Sequence, residues 1–190
     1  MAELPELRLD DFYRNGDEPD LPRIHGMVDW DDVISWNLPA AVDALKELAT
    51  IGHTVVPCYD ISKSRAEGTH VVNVAEAPAV IAEGIFALDL LDPCLRVGMD
   101  VLPIWLDRPR WFNFARRLIR DLRQHRKSPP VLIRRGLALC QAEPALRSRA
   151  IVMGFQPMSM RRASAIVAAP ISDVDHNAVT FHGRRIPGTP

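Results

Sequence analysis

The sequence has few cysteines, no long apolar run and no basic leader. Its three cysteines, Cys58, Cys94 and Cys140, form neither a Cys-x-x-Cys pair nor an even set, which argues against a disulfide framework. No stretch approaches the ~18 apolar residues that a membrane-spanning helix needs. The first six residues are acidic and lack the basic and apolar regions of a signal peptide. We therefore expect a cytoplasmic protein with no membrane partner.

Two common enzyme signatures are also missing. The six histidines form no His-Glu-x-x-His motif, and no cluster of cysteine and histidine has zinc-site spacing. The sequence contains no Gly-x-Ser-x-Gly motif, the signature of a serine nucleophile on an α/β-hydrolase fold. Its 190 residues, 47% of them apolar, are enough for one domain with a sizeable core.

Lysine is scarce and arginine is abundant, and the charges are unevenly spread. Only three of the 23 basic residues are lysines. Residues 1–45 carry eleven acids against three arginines, whereas residues 107–149 carry eleven arginines and one lysine against three acids. Arginine presents a planar fork that matches carboxylate and phosphate oxygens. This distribution suits a site that holds a metal and a polyphosphate, although a solvated surface of charged residues is the simpler alternative.

The pattern of apolar residues and breakers predicts strands alternating with helices. The clearest helix starts at the cap Asn37, has Pro39 in its first turn and closes at Gly52. Further helices are predicted after the cap Asp107 and at 131–142 and 145–153, the last ended by Gly154. Strands are predicted at 7–9, 54–58, 70–74, 79–82, 101–106 and 165–169, loops at 15–28 and 60–69, and a loose tail at 170–190.

Alternating strands and helices indicate an α/β fold with a mostly parallel sheet. Ligands bind such sheets at the carboxyl ends of the strands. Asp10, Tyr59 and Glu83 each follow a predicted strand, so we expect them at one edge. A carboxylate there can accept a proton from a hydroxyl nucleophile, and Asp10 and Asp11 are both candidates. A helix cap or a solvated pair at a strand end is the alternative for these two acids.

Four short motifs follow one another in a fixed order. They are Asp-Asp-Phe-Tyr at 10–13, Pro-Cys-Tyr-Asp at 57–60, Glu-Gly-Ile-Phe at 83–86 and Arg-Arg-Leu-Ile-Arg-Asp at 116–121. Over residues 7–169 this order resembles the uridine kinase family of P-loop phosphotransferases. The resemblance implies a P-loop NTPase-like fold, in which a mostly parallel sheet is flanked by helices. It also implies Mg²⁺-dependent transfer of the ATP γ-phosphate to the 5′-hydroxyl of a uridine-like nucleoside, a step of pyrimidine salvage.

The resemblance assigns a role to individual residues. Asp10 would be the general base toward the hydroxyl, and Glu83 would lie near Mg²⁺ and its waters. The implied nucleoside contacts are Tyr13, Asp31, Tyr59 and Arg65. The implied contacts with ATP phosphates lie on an arginine-rich lid helix and are Arg117, Arg120 and Arg126, with Arg116 as an alternate.

Each of these roles has a structural alternative, and the chain departs from the family in places. Tyr59 could be a packed residue at a strand end, and Glu83-Gly84 a simple turn. The arginine-rich helix could be an exposed amphipathic helix or a nucleic-acid contact, but no nucleic-acid-binding motif accompanies it, so we expect no such partner. Asp32 and Val33 replace the family's His and Pro, and Lys63 stands near the place of a base-contacting His.

The phosphate-binding loop of that family is absent from the printed sequence. No Gly-Lys-Ser or Gly-Lys-Thr occurs, and none of the three lysines follows a glycine. We expect residues 1–169 to form a kinase-like domain that lacks its first strand–P-loop–helix unit, followed by the tail 170–190. That unit would lie upstream in the complete protein, be lost in a non-catalytic or binding-only remnant, or come from a partner chain. A kinase of another small alcohol, of phosphoribulokinase or pantothenate kinase type, is the alternative substrate class, and homo-oligomerisation stays open.

Overall fold

A computed structural model describes residues 4–24, 26–74, 77–107 and 143–168. The chain divides into two compact units, one within Met1–Leu102 and the other within Pro103–Ala169. Each unit has its own secondary structure and buried residues, and each is considered by itself below.

The first unit combines short strands with two helices. Its strands are β1 (Glu6–Arg8), β2 (Arg23–Ile24), β3 (Met27–Val28), β4 (His53–Asp60), β5 (Arg65–Asn73) and β6 (Ile81–Glu83). Its helices are α1 (Leu38–Ile51) and α2 (Ala87–Arg96), with 3₁₀ turns at Leu9–Phe12 and Val33–Ser35. The described part of the second unit contains β7 (Ile104–Leu106), β8 (Gln156–Met158), a helix over 143–152 (α3) and α4 (Met160–Ala168).

Helix α1 begins and ends as the sequence predicts. The side chain of Asn37 accepts a hydrogen bond from the backbone N–H of Ala40 at 3.2 Å, and Pro39 lies in the first turn. Gly52 ends the helix with φ of 81°, a left-handed conformation that glycine adopts at little cost. The buried face of α1 packs into the core of the first unit through Ala41, Ala44, Leu45 and Leu48.

Strands β4 and β5 form an antiparallel hairpin, which the sequence predicted only in part. The predicted loop over 60–69 is wrong, because β5 already begins at Arg65. The register shifts between Pro57 and Tyr59, opposite a segment in which Gly68 has φ of 86°. A charged, glycine-containing segment that carries such a bulge lacks the apolar alternation by which a strand is recognised in a sequence.

Strands β1 and β6 form a parallel pair, with Leu7 opposite Ala82 and Arg8 opposite Glu83. The strand predicted at 79–82 is therefore present but shifted, since it spans Ile81–Glu83. Helix α2 directly follows and was not predicted. Its interior contains Pro93, a residue that normally ends a helix. Burial of Leu88, Leu90, Leu91 and Cys94 offsets that cost.

Two other segments differ from the prediction. The predicted loop over 15–28 contains the small hairpin β2–β3, where Gly26 has φ of 79°. The strand predicted at 165–169 is wrong, because α4 spans Met160–Ala168 and the Ser159 hydroxyl accepts a hydrogen bond from the N–H of Arg162. A short apolar run fits a buried strand and a helix equally well, and periodicity does not separate the two.

The second unit confirms two other predictions. Helix α3 ends before Gly154, which has φ of 96°, and β7 lies within the strand predicted at 101–106. Strands β7 and β8 pair in parallel, with Ile104 opposite Gln156. The predicted helices after Asp107 and at 131–142, and the tail 170–190, lie outside the described residues.

The core of the first unit lies between α1, β4 and the β1–β6 pair. Leu7, Leu9 and Val56 are fully buried in it. The described strands form two parallel and two antiparallel pairs. Their arrangement as one parallel, P-loop NTPase-like sheet stays a prediction. None of the described helices combines the length and apolar character needed to cross a membrane.

Candidate functional site

The carboxyl ends of β1 and β6 bring two of the predicted site residues to one edge. Glu83 is the last residue of β6 and is the register partner of Arg8 in β1. Asp10 lies two residues after Arg8, in the 3₁₀ turn Leu9–Phe12. The backbones touch here, since a Cβ added to Gly84 would lie 2.7 Å from the Cβ of Leu9. This close approach places Asp10 and Glu83 at the same end of the parallel pair.

The neighbouring carboxylate Asp11 has a different environment from Asp10. Asp11 is only 4% exposed, and its Oδ1 accepts a hydrogen bond from the backbone N–H of Tyr59 at 3.3 Å. Asp10 is half-buried. Asp11 therefore attaches the end of β4 to the turn after β1, and the more exposed Asp10 is the better candidate for contact with a ligand.

Tyr59 also lies near this edge, but its position in the fold differs from the predicted one. It lies inside β4, in an antiparallel hairpin, and not after the end of a parallel strand. Its N–H bond to Asp11 nevertheless brings it beside the predicted edge.

Three aromatic rings form a cluster, one of them only three residues after Asp10. The ring of Tyr13 lies 5.5 Å from that of Trp30 and 5.6 Å from that of Tyr59, and Trp30 and Tyr59 are 6.3 Å apart. We call Tyr13, Trp30 and Tyr59 the aromatic cluster. Phe86, three residues after β6, supports it with its ring 5.7 Å from Tyr13 and stacked at 5.0 Å on the buried Trp36. The cluster is half-buried, so part of its aromatic surface is exposed.

Both hydroxyls of the aromatic cluster are anchored to backbone carbonyls. Tyr13 donates to the carbonyl of Trp30 at 3.1 Å, and Tyr59 donates to the carbonyl of Arg14 at 3.0 Å. Burial, and secondarily the Glu18 carboxylate, raises the pKa of Tyr59 to about 12. Tyr59 is therefore a neutral hydrogen-bond donor across the physiological pH range.

Trp30 is a member of the cluster that was not singled out from the sequence. It stands between acids in the segment Asp-Trp-Asp-Asp at 29–32, where a lone aromatic residue gives no periodic signal. Asx-type hydrogen bonds shape this segment. Asp29 Oδ1 accepts from the N–H of Asp31 at 3.1 Å, and Asp32 Oδ1 accepts from the N–H of Ile34 at 2.8 Å. The exposed Asp31, a predicted nucleoside contact, directly follows Trp30.

The other predicted site residues lie in the β4–β5 hairpin or beyond the described residues. Arg65 is exposed at the start of β5, where its register partner is Asp60. Lys63, in the turn between the strands, pairs with Asp60 and Glu67. The predicted phosphate contacts lie outside the described residues and are Arg117, Arg120 and Arg126, with the alternate Arg116.

Asp107, predicted as a helix cap, has a different partner within the described chain. Both of its oxygens accept hydrogen bonds from Arg147, at 2.9 and 3.0 Å. These bonds hold the pKa of Asp107 below its usual range. The predicted capping role concerns residues that the structure does not describe.

Among the described residues, no group of three or more His, Cys, Asp and Glu side chains is placed to hold a metal ion. Mg²⁺ in phosphotransferases is usually bound by one or two carboxylates together with waters and substrate phosphates. Asp10 and Glu83, at one edge, are compatible with that smaller protein contribution. Searched against models of known protein families, the chain matches none.

Proposed function

We propose that this protein is a cytoplasmic phosphotransferase of uridine kinase type. In this proposal, it transfers the γ-phosphate of ATP to the 5′-hydroxyl of a uridine-like nucleoside. The observation that carries the proposal is the clustering of Tyr13, Trp30 and Tyr59, with Tyr13 only three residues after Asp10 and with Asp10 at the carboxyl ends of two parallel strands. A nucleoside offers the matching pair of groups, a planar base and a primary hydroxyl.

The aromatic cluster supplies the surface for the base. Stacking of a base on an aromatic ring is worth about 1–3 kcal/mol in single-stranded nucleic-acid binding, and it tolerates different bases. The half-buried rings of Tyr13 and Trp30 meet edge to face at 88°, which gives a corner between two aromatic surfaces and not a flat platform. Tyr59 forms the third side and keeps its hydroxyl neutral.

Asp10 supplies the group that the hydroxyl needs. Phosphoryl transfer asks little covalent chemistry of the protein, which must orient the nucleophile, accept its proton and neutralise charge on the phosphoryl group. A carboxylate beside the hydroxyl can take the first two tasks. Asp11 is buried, whereas Asp10 is only half-buried, so the proposal assigns both tasks to Asp10.

The remaining roles in the proposal belong to Glu83 and the arginine-rich segment. Glu83 would hold Mg²⁺, with Asp10 at the same edge, and Arg117, Arg120 and Arg126 would contact the phosphates of ATP. When bound, Mg²⁺ neutralises charge on the transferring phosphate. Tyr13, Asp31, Tyr59 and Arg65 would contact the nucleoside.

A substrate panel tests the reaction and the substrate class together. The protein, purified from its own cells, is incubated with Mg²⁺ and ATP labelled in the γ-phosphate. Each mixture contains one acceptor: uridine, cytidine, adenosine, ribulose 5-phosphate or pantothenate. The proposal predicts label in the 5′-monophosphate of a pyrimidine nucleoside and not in the other acceptors. Label in the sugar phosphate or pantothenate alone would replace the nucleoside with another small alcohol, an alternative favoured by Asp32 and Val33, which stand where the family has His and Pro.

Nucleoside binding without transfer is the second candidate function. It is favoured by the absence of a Gly-Lys-Ser or Gly-Lys-Thr motif from the printed sequence. Calorimetric titration with uridine, run beside the panel, separates the two candidates. Saturable uridine binding without any labelled product would support the second and overturn the first.

A further inference from the structure

Residues 14–16, which we call the strap, join the aromatic cluster to the β4–β5 hairpin. Three hydrogen bonds make this connection. The hydroxyl of Tyr59 donates to the carbonyl of Arg14 at 3.0 Å, and the N–H of Gly16 donates to the carbonyl of Ser64 at 2.7 Å. The N–H of Ala66 donates to Oδ1 of Asn15 at 2.9 Å. The strap thus contacts the hairpin in β4, in the turn and in β5.

The strap has no free space where it passes the turn. A Cβ added to Gly16 would lie 3.0 Å from the Cβ of Ser64 and 3.4 Å from Cζ2 of Trp30. Ser64 itself has φ of 54°, a left-handed conformation that is uncommon for a residue other than glycine. Displacement of the strap would therefore shift Trp30 on one side and the hairpin turn on the other.

The side chain of Arg14 holds the strap from its other side. Its Nε and Nη2 donate to Glu18 at 2.8 and 2.5 Å, and Nη2 also donates to Asp20 at 2.6 Å. Its Nη1 donates to the carbonyl of Ile34 at 3.3 Å, which reaches the 3₁₀ turn after the Trp30 segment. Glu18 in turn accepts from the backbone N–H of Asn15 at 2.8 Å. One guanidinium thereby connects the strap, the loop to Asp20 and the turn at Ile34.

Arg14 makes more contacts than an ordinary surface ion pair requires. A surface ion pair alone uses one or two of the donors of an arginine, whereas Arg14 uses three nitrogens on three different partners. The planar fork of arginine is suited to this task, and lysine, a single flexible point charge, is not. The partners also act on the titration of the group: hydrogen bonds to Asp20 and then Glu18 raise the pKa of Arg14.

We infer that Arg14 is a positioning residue for the nucleoside site. Its guanidinium fixes the strap, and the strap fixes the spacing of Tyr59 and Trp30, two of the three rings proposed to contact the base. This inference rests on the proposed function for the identity of the ligand. It gives Arg14 an effect on nucleoside affinity without contact with the nucleoside, and no effect on the chemistry at Asp10.

The test compares Arg14→Gln and Arg14→Lys with a matched control, Arg147→Gln. Arg147 makes the same kind of two-bond ion pair, with Asp107 in the second unit. For each variant we would measure uridine affinity by calorimetry, KM and kcat for uridine phosphorylation, and hydrogen exchange of the Gly16 and Ala66 amides. Asp20→Asn, at a well exposed side chain, is the milder variant should Arg14→Gln fold poorly.

Loss of positioning predicts a rise in uridine Kd and KM of roughly tenfold, the factor that corresponds to one weakened hydrogen-bonded contact. We expect kcat to stay within about twofold, since Asp10 is untouched and only uniform binding is lost. Exchange at Gly16 and Ala66 should become faster. Arg14→Lys should resemble Arg14→Gln, because the lysine keeps the charge but not the fork, and Arg147→Gln should resemble the wild type.

Wild-type uridine affinity and unchanged amide exchange in both Arg14 variants would overturn the inference. A wild-type affinity in Arg14→Lys alone would also overturn it, because charge and not geometry would then suffice. If the wild-type protein binds no uridine, the proposed function and the role in nucleoside affinity both fail. The exchange rates then show separately whether Arg14 holds the strap.

Discussion

Replacement of Gly84 by alanine tests the contact that brings Asp10 and Glu83 together. Gly84 directly follows β6, and an added Cβ would lie 2.7 Å from the Cβ of Leu9. Leu9 is fully buried and its Cβ is attached directly to the backbone, so rotation of a side chain cannot relieve the contact. The ends of β1 and β6 must move apart, and with them the two carboxylates.

The expected cost follows from two contributions. Insertion of a methyl group into a packed region costs about 1–3 kcal/mol, and the upper part of that range applies when backbone must shift. Gly84 also has φ of 158°, where alanine is strained, so the gain of about 0.4–1 kcal/mol from restricting the unfolded chain does not apply. We therefore expect Gly84→Ala to lower the free energy of unfolding by ~2 kcal/mol or more.

Gly98→Ala is the matched control. Gly98 has φ of 77°, and nothing lies within 4 Å of the position of an added Cβ. Its alanine variant meets only the left-handed backbone penalty of about 1–2 kcal/mol, partly offset by the restricted unfolded chain. Urea unfolding would be followed by tryptophan fluorescence with Trp105 and Trp111 replaced by Phe, so that Trp30 and Trp36 report on the first unit. A cost for Gly84→Ala no larger than that for Gly98→Ala would refute the close approach.

Three further predictions concern single groups that are buried or half-buried. Trp36→Phe removes the indole N–H that donates to the carbonyl of Leu9 at 2.7 Å, and the stranded buried acceptor should cost about 1–3 kcal/mol in urea unfolding; a cost near zero would contradict the bond. In a Tyr13→Phe background, the ultraviolet absorbance of Tyr59 should titrate at a pH of about 12 and not near 10. Burial raises the pKa of the Cys94 thiol from 9.0 to about 11, so its contribution to stability is complete below pH 9.0 and is lost as the pH rises toward 11. Cys94→Ala should remove that part of the pH dependence, and an unchanged alkaline profile would contradict it.

Local signals made part of this fold predictable. Helix α1 could be bounded from Asn37, Pro39 and Gly52, because capping and left-handed closure depend on residues a few positions apart. The first half of β5 and α2 could not, since a charged bulged strand and a helix with internal Pro93 contradict their local propensities. Tertiary burial decides both, and a single sequence does not display it.

The candidate site shows the same division. Strand ends predict that Asp10 and Glu83 share an edge, and the register of β1 with β6 brings them there. The sequence could not distinguish Asp10 from Asp11, because the burial of Asp11 and its bond to Tyr59, 48 residues away, arise only in the fold. Trp30 could not be identified for a similar reason, because Tyr13 and Tyr59 come into contact with it only in the folded chain.

The most direct test of the central claim is the rate at which the protein from its own cells forms uridine 5′-monophosphate, compared between wild type and Asp10→Asn. Asp43→Asn, on the exposed face of α1, is the control for loss of a carboxylate. The account predicts product with the wild type and with Asp43→Asn. It predicts a loss of about 10²–10⁴-fold in kcat for Asp10→Asn, with ATP binding retained, which is the usual contribution of a general base. No uridine phosphorylation by the wild type, or an undiminished rate in Asp10→Asn, would contradict it.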